Sequence, residues 1–438
     1  MDPLTFISEF LKNPSPEQKG IFSIIWNVFA TWWWVIMPLI LFGPMKFFYK
    51  FWIMKRWDET QDKIVIEVKV PKEILKPIKA MEYVMSGLHG IHDVPNFRER
   101  WIEGQFQLAI SFEIVGVDGQ PHFFIRLPAK FRRLVESNIY AQYPEAEISQ
   151  VEDYTIKIPQ DIPNKDWNLW GMDLKLSKED FYPIKTYNKF ELEKEAKEEK
   201  RVDPLANLLE SMTTLKQGEQ MWLQIIAKPF IGEPIGGKIW IEEGRKLVDK
   251  LVRRPAVITP RPIVQEAAEI LIFGPQTTTL PEFREIIPPE MKLTPGERDI
   301  VTAIEEKLGK FGFISNIRFI YLAKQEIFNP AAPIRMAMGF FRSISTQNLN
   351  GLRPIVETLT KIQWILRTRR VWLRKRRMFR YYQKRWMPFF PRQGGTYVLN
   401  VEELATLYHF PSKMVAPAPT FERVEAKRRE PPTQLPVE

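Results

Sequence analysis

The stretch Gln105–Leu127, QFQLAISFEIVGVDGQPHFFIRL, decides the fold. Two runs rich in β-branched and aromatic residues flank Asp118-Gly119. Asp-Gly supplies the positive-φ pair that a tight hairpin needs, so Gln105–Val117 and Pro121–Leu127 read as paired antiparallel strands. On the N-terminal side, Lys63–Val70 (KIVIEVKV) reads as a strand and Lys72–Leu88 as a helix. On the C-terminal side, Lys130–Tyr143 puts Phe131, Leu134, Val135, Ile139 and Tyr143 on one helical face, and Ala146–Val151 closes with a strand. The order β-α-β-β-α-β is the ferredoxin-like arrangement.

The alternation continues downstream. Strands are expected at Leu169–Leu176, Glu219–Lys228 and Phe313–Leu322, and helices at Pro204–Leu215, Lys238–Arg253 and Thr294–Lys310. Thr294 is placed to cap the last of these, with Pro295 at its first position. Phe190–Val202 is a charge-dense connecting loop or exposed helix, and Thr259–Glu290 a Pro-rich loop. The fold class is therefore α+β, with tandem ferredoxin-like domains at 60–156 and 165–345, the second enlarged by insertions.

Ahead of these domains lies Gly20–Met45, 26 residues without a charge. About 20 apolar residues cross a ~30 Å hydrocarbon core as a helix, so 20–45 is expected to be a transmembrane helix and 1–19 an extracytoplasmic tail. Pro38 is expected to kink the helix or be tolerated near its end. Lys46, Lys50, Lys55 and Arg56 follow the run. The positive-inside rule then leaves the N-terminus outside and the bulk of the chain cytoplasmic, at the cytoplasmic (inner) membrane. The triplet Trp32–Trp34 suits either a helix–helix contact or plain lipid exposure.

The chain has no cysteine, which removes disulfides, thiol nucleophiles and thiolate metal sites. His89, His92 and Asp93 are spaced for a metal, but a polar loop after a helix accounts for them. Gly232–Ile239, GEPIGGKI, follows the start of a phosphate loop. Ile239 stands where a magnesium-binding hydroxyl belongs, and Pro234 removes a backbone donor. No catalytic residue, cofactor site or metal site is assigned, and the chain is expected not to be an enzyme.

The net charge is +10, and its location is local. Leu366–Trp386, LRTRRVWLRKRRMFRYYQKRW, holds Arg367, Arg369, Arg370, Arg374, Lys375, Arg376, Arg377, Arg380, Lys384 and Arg385 and no acid. The remainder is balanced. Ile365, Trp372, Phe379 and Trp386 recur every seven residues beside Leu366, Leu373 and Tyr382, which describes one amphipathic helix within 355–388, bracketed by Pro354 and Pro388. Its ten cations, with Trp372 and Trp386, are candidates for binding anionic lipid or nucleic acid. A partner-docking helix with solvated charges is the third reading.

Tyr397–Pro411, YVLNVEELATLYHFP, carries helix-start signals: Asn400, then Glu402 and Glu403 in a first turn, then Leu404, Leu407 and Tyr408. Together with His122–Tyr154 and Asp203–Pro229, this stretch resembles the N-terminal half of membrane-anchored, conjugation-type DNA-pumping ATPases. These are coupling-protein-like members of type IV secretion systems, with a related group in uncultured bacteria. The resemblance covers most of 60–436 and implies that 396–412 is a short helical module leading into a motor domain. It makes Glu402, Glu403, Leu404, Leu407, Tyr408, His409 and Phe410 candidates for docking a partner. The tail at 413–438 resembles the Pro-rich linker, and is expected to be disordered. No phosphate loop or Walker B strand follows.

The expectation is thus a non-enzymatic, single-span anchor and scaffold of a type IV secretion or conjugation-like apparatus. It would recruit a separately encoded P-loop motor ATPase and other apparatus proteins, unless the chain is a truncated ATPase. The alternative is a membrane-tethered protein that guides DNA through its basic helix. The oligomeric state is open.

Overall fold

The computed structural model describes residues 16–71, 76–192, 203–232, 234–235, 238–252, 293–362, 366–387 and 395–411. Two compact units emerge: one holds the N-terminal helix and Val94–Phe106, the other Asp62–Asp93 and the chain from Gln107 onward. In the first, α1 runs unbroken from Pro16 to Glu59, through Pro38 and Pro44. By length and composition it is a helix able to cross a membrane. Trp32, Trp33 and Trp34 are exposed along it. Val94–Phe106 was expected within the first α+β domain, but it packs with α1 through a π-helical turn at Glu99–Glu103.

The second unit is built on one antiparallel sheet. Its elements are β1 (Lys63–Lys69), α2 (Lys79–Leu88), β2 (Ile110–Val117), β3 (Gln120–Pro128), α3 (Arg132–Gln142), β4 (Glu147–Val151), β5 (Trp167–Leu176), α4 (Tyr187–Leu192), α5 (Ala206–Thr213) and β6 (Glu219–Phe230). Then come β7 (Pro234–Ile235), β8 (Lys238–Ile239), α6 (Trp240–Val252), α7 (Pro295–Leu308), β9 (Gly312–Lys324), α8 (Ala331–Ser343), β10 (Leu352–Pro354), α9 (Arg367–Lys384), β11 (Tyr397–Asn400) and α10 (Val401–Leu407). The strand order is β10-β5-β9-β6-β2-β3-β1-β4, with β11 also pairing β9. The β2–β3 hairpin closes on Asp118 and Gly119 at φ 49° and 86°, the conformation of a type I′ turn. The stretches expected as two domains share this sheet, because β2 pairs β6 from Ile110↔Ala227 to Val117↔Gln220.

Alternation along the strands feeds two cores. Ile110, Phe112 and Ile114 of β2 join Ile66, Leu223 and Phe319 under α2, α3, α5, α8 and α10. Val115 joins Val65, Phe124, Trp222 and Ile320 on the opposite face, where Tyr154, Ile158 and Ile162 meet Met378, Phe379 and Tyr382 of α9. α6 and α7 form a satellite core around Val248, Val252, Val301 and Ile304. Thr294 caps α7 in a reciprocal box with Glu297.

Local boundaries shift from the sequence expectations. The helix expected from Lys72 begins at Lys79, after Pro77, and the strand expected from Gln105 begins at Ile110. α8 and β11 had no counterpart in the sequence reading. Residues 193–202, the Pro-rich loop at 259–290, Ile365, Pro388 and the tail from 412 lie outside the described residues.

Candidate functional site

The second face of the sheet carries a buried polar row. Glu113 on β2, Gln224 on β6, Arg318 on β9 and Asp173 on β5 are side by side in register. Arg318 Nε donates to Asp173 Oδ1 at 2.8 Å, and its Nη1 donates to Gln224 Oε1 at 3.1 Å. Gln224 Nε2 donates to Glu113 Oε1 at 3.0 Å.

The end of α9 closes this row. Gln224 Nε2 also donates to the Tyr382 carbonyl at 3.1 Å, and Arg318 Nη2 to that of Trp386 at 3.2 Å. Arg385 sits just past the helix at φ 51°, a position that favours glycine and costs a bulky residue about 1–3 kcal/mol. Its Nε and Nη2 donate to the two Glu113 oxygens at 2.9 and 3.0 Å. The same guanidinium forms an ion pair with Asp153. Tyr154 Oη donates to Glu113 Oε2 at 2.7 Å and lies 2.7 Å from Tyr382 Oη.

The charges are mutually held. Burial pushes the Glu113 carboxyl up, but the Arg385 guanidinium and the Ser111 and Tyr154 hydroxyls outweigh it and keep it below the usual range. Asp153 is held low in the same way. Burial and the Glu113 charge push the Tyr154 and Tyr382 phenols well up, keeping both as neutral donors. This cluster acts as a lock between helix and sheet.

The ten cations of the basic stretch therefore divide by partner. Arg385 belongs to the lock and is not available to a ligand; the expectation that it binds lipid or nucleic acid is corrected by its burial between two carboxylates. Arg374 Nη1 donates to the carbonyls of Val356 and Leu359 at 3.2 and 2.8 Å. Lys375 Nζ donates to Asn168 Oδ1 at 2.6 Å, and burial pushes its ammonium down. Arg367, Arg369, Arg370, Arg377, Arg380 and Lys384 are exposed. Arg376 lies over the Trp372 ring at 4.7 Å, Arg377 over Tyr381 at 5.1 Å, and Lys384 over Trp386 at 4.6 Å.

The apolar stripe divides too. Phe379 and Tyr382 are buried in the sheet face, while Leu366, Trp372 and Leu373 are exposed. Trp386 is half-buried. The N-terminal half of α9 thus presents Trp372 and Leu373 on the same half-helix as Arg367, Arg369 and Arg370. Cations beside an exposed aromatic ring suit a ligand that offers phosphate oxygens and a flat or apolar surface.

The second candidate set is a different matter. Glu402, Glu403, Leu404, Leu407, Tyr408, His409 and Phe410 are all buried, so none offers a docking surface in this fold. Residues 397–400 form β11 along β9, and α10 then turns into the core against α2. Asn400 Oδ1 accepts from Glu403 N at 2.8 Å and Glu403 Oε2 from Asn400 N at 2.9 Å, the reciprocal cap its sequence announces. Glu403 also meets Lys307 at 2.9 Å with both side chains fully buried, and Glu402 meets Lys310 at 2.6 Å.

Elsewhere, His89 Nε2 lies 3.1 Å from the Phe230 carbonyl and its ring stacks on Phe311, giving it a packing role. Among the described residues no cluster of His, Asp and Glu could hold a metal ion. The GEPIGGKI stretch contains the short β7–β8 hairpin, pairing Pro234↔Ile239 and Ile235↔Lys238. Sequence reasoning missed Glu113, Asp153, Asp173, Gln224 and Arg318. One signal was present: Glu113 is the single charged residue of Ile110–Val117, and Arg318 the single charged residue between Gly312 and Ala323.

The chain belongs to the family described as Domain of unknown function (DUF8128), whose model matches residues 54–419, spanning the whole sheet, α9 and α10. No curated protein matches it.

Proposed function

We propose that this chain is a non-enzymatic, single-span scaffold of a type IV secretion or conjugation-like apparatus. In this reading α1 holds it in the cytoplasmic membrane, the N-terminus lies outside, and the body recruits a separately encoded motor ATPase. Within the body, β4-β1-β3-β2 and β10-β5-β9-β6 each have the strand order of a ferredoxin-like unit, joined edge to edge through β2 and β6.

The observation that carries the reading is a packing one. The three stretches on which the resemblance rests, 122–154, 203–229 and 397–411, touch one another in one core. Phe410 stacks edge-on with Phe123 at 5.5 Å and with Tyr143 at 5.1 Å, and His409 Nε2 lies 2.8 Å from Asp203 Oδ1. They are pieces of one structural unit rather than scattered strings. The test is affinity capture of the full chain, in mild detergent, from its native membranes. Enrichment of a P-loop ATPase is expected, and its consistent absence would remove the scaffold reading.

A second reading has its own observation: the exposed Arg367, Arg369, Arg370, Trp372 and Leu373 on a helix locked to the sheet. There, α9 guides nucleic acid at the membrane. Titration with a single-stranded oligonucleotide across a salt series should then give a log–log slope of about −0.7 per phosphate contacted. Saturable binding to anionic vesicles with none to the oligonucleotide would assign the helix to lipid instead.

A further inference from the structure

The first unit contains a feature that neither the sheet nor α9 uses. Val94–Phe106 is a short segment fastened to α1 just past the charge-free run, which ends at Met45. Tyr49 Oη donates to the Trp101 carbonyl at 3.1 Å. The rings of Trp57 and Phe106 meet edge-on at 5.1 Å. Gly104, at φ 77°, lies so close to α1 that a Cβ there would stand 2.5 Å from the Ile53 carbonyl. The Lys46 and Lys50 ammonium groups lie over the Trp101 ring at 5.0 and 5.5 Å. Asn96 and Glu99 bond each other's backbone N–H at 2.8 and 3.0 Å, which sets the turn.

This built segment leaves its apolar side chains uncovered. Phe97 is 78% exposed, Ile102 66% and Val94 58%, and the π-helical turn buries none of its residues. The adjoining turns of α1 likewise expose Phe48 and Trp52. Isolated exposed apolar residues are ordinary, but several in one fastened segment beside Lys46, Lys50 and Arg100 have the chemistry of a membrane–water interface.

We propose that Val94–Phe106 is an interfacial membrane anchor, inserting Phe97 and Ile102 at headgroup depth of an anionic leaflet while Lys46, Lys50 and Arg100 meet lipid phosphates. It would fix how deeply the end of α1 sits, a setting that apolar length alone leaves loose. The inference rests on α1 spanning the membrane, and the experiment separates the two.

The natural absence of cysteine permits clean single labelling. The full chain carrying Phe97→Cys, Ile102→Cys, Leu39→Cys or Ala141→Cys is spin-labelled and reconstituted into vesicles of phosphatidylcholine and phosphatidylglycerol. Accessibility to oxygen is compared with accessibility to a water-soluble nickel chelate. Labels at 97 and 102 should favour oxygen several-fold over the label at 141, an exposed position on α3. Adding Lys46→Gln and Lys50→Gln should reduce that preference. If 97 and 102 match 141 while 39 favours oxygen, the anchor is overturned and the span stands. If 39 also matches 141, both are overturned.

Discussion

Arg385 meets Glu113 side-on, with Nε and Nη2 at 2.9 and 3.0 Å from the two carboxylate oxygens, across 272 positions of chain. The pair fastens the end of α9 to the middle of the sheet. Arg385→Met removes the cation and leaves Glu113 buried without it. The expected loss is about 3–5 kcal/mol, read as a lower urea midpoint for the full chain in detergent. An unchanged midpoint would mean that the apolar seat of Met378, Phe379 and Tyr382 holds α9 alone. Arg385→Met with Glu113→Gln should be less destabilised than Arg385→Met by itself.

The same pair sets a pH dependence. Glu113 and Asp153 are held below their ordinary values, so their contribution is present above the unfolded-state carboxylate pKa of about 4 and is lost as pH falls through the lower folded values. In Arg385→Met, burial of Glu113 acts unopposed by that cation. Its carboxyl should rise, and the acid limb of the stability curve should flatten or reverse. Parallel acid limbs for wild type and variant would contradict this.

Glu403, paired with Lys307, carries the opposite sign. Burial pushes the Glu403 carboxyl up, and the Lys307 ammonium with the N–H groups of Asn400 and Ile184 only partly offsets it. A raised carboxyl contributes fully below its unfolded value, and that contribution is lost as pH rises through the folded one. Lys307→Met should therefore cost more near about pH 8, on the order of 3–5 kcal/mol, than near about pH 5. Denaturation at the two pH values checks it; equal losses would refute it.

Gly171 of β5 lies against Met378 of α9. A Cβ there would stand 2.9 Å from Met378 Cγ and 3.2 Å from the Phe319 carbonyl. Gly171→Ala should cost about 1–3 kcal/mol by forcing Met378 out of place. Protease cleavage within 366–387 should accelerate in this variant; an unaltered rate would show that the helix repacks without loosening.

The exposed half of α9 can be altered without touching its seat. Arg369→Glu with Arg370→Glu should leave thermal unfolding within about 0.5 kcal/mol of wild type, since both side chains are exposed. On the proposal that α9 is an anionic-ligand surface, binding of the variant to a single-stranded oligonucleotide or to anionic vesicles should fall at least tenfold at low salt. Arg374→Glu is the wrong test for this purpose, because Arg374 holds the carbonyls of Val356 and Leu359.

Local patterns were legible wherever they depend on neighbours in sequence. The Asp118-Gly119 hairpin, the Thr294 and Asn400 caps and the period of α3 follow from short-range sterics and hydrogen bonding. α8 escaped because Ala331–Ser343 carries Pro333, Gly339 and no acidic residue, so its start and stop signals are weak. In the basic stretch, sequence showed ten equivalent cations. Their separation into a lock, backbone clips and an exposed row required knowing which strands carry Glu113, Asp173 and Asn168.

The sequence by itself determined the apolar helix, the alternation of strands and helices, and the confinement of positive charge to one element. These properties reside in runs and periods that no distant residue can change. Only the tertiary structure decided that β2 and β6 join two halves into one sheet, that 397–411 is core, and that Arg385 is a structural residue. Strand neighbours and buried ion pairs are fixed by contacts between residues up to hundreds of positions apart. No local period encodes which charge will meet which.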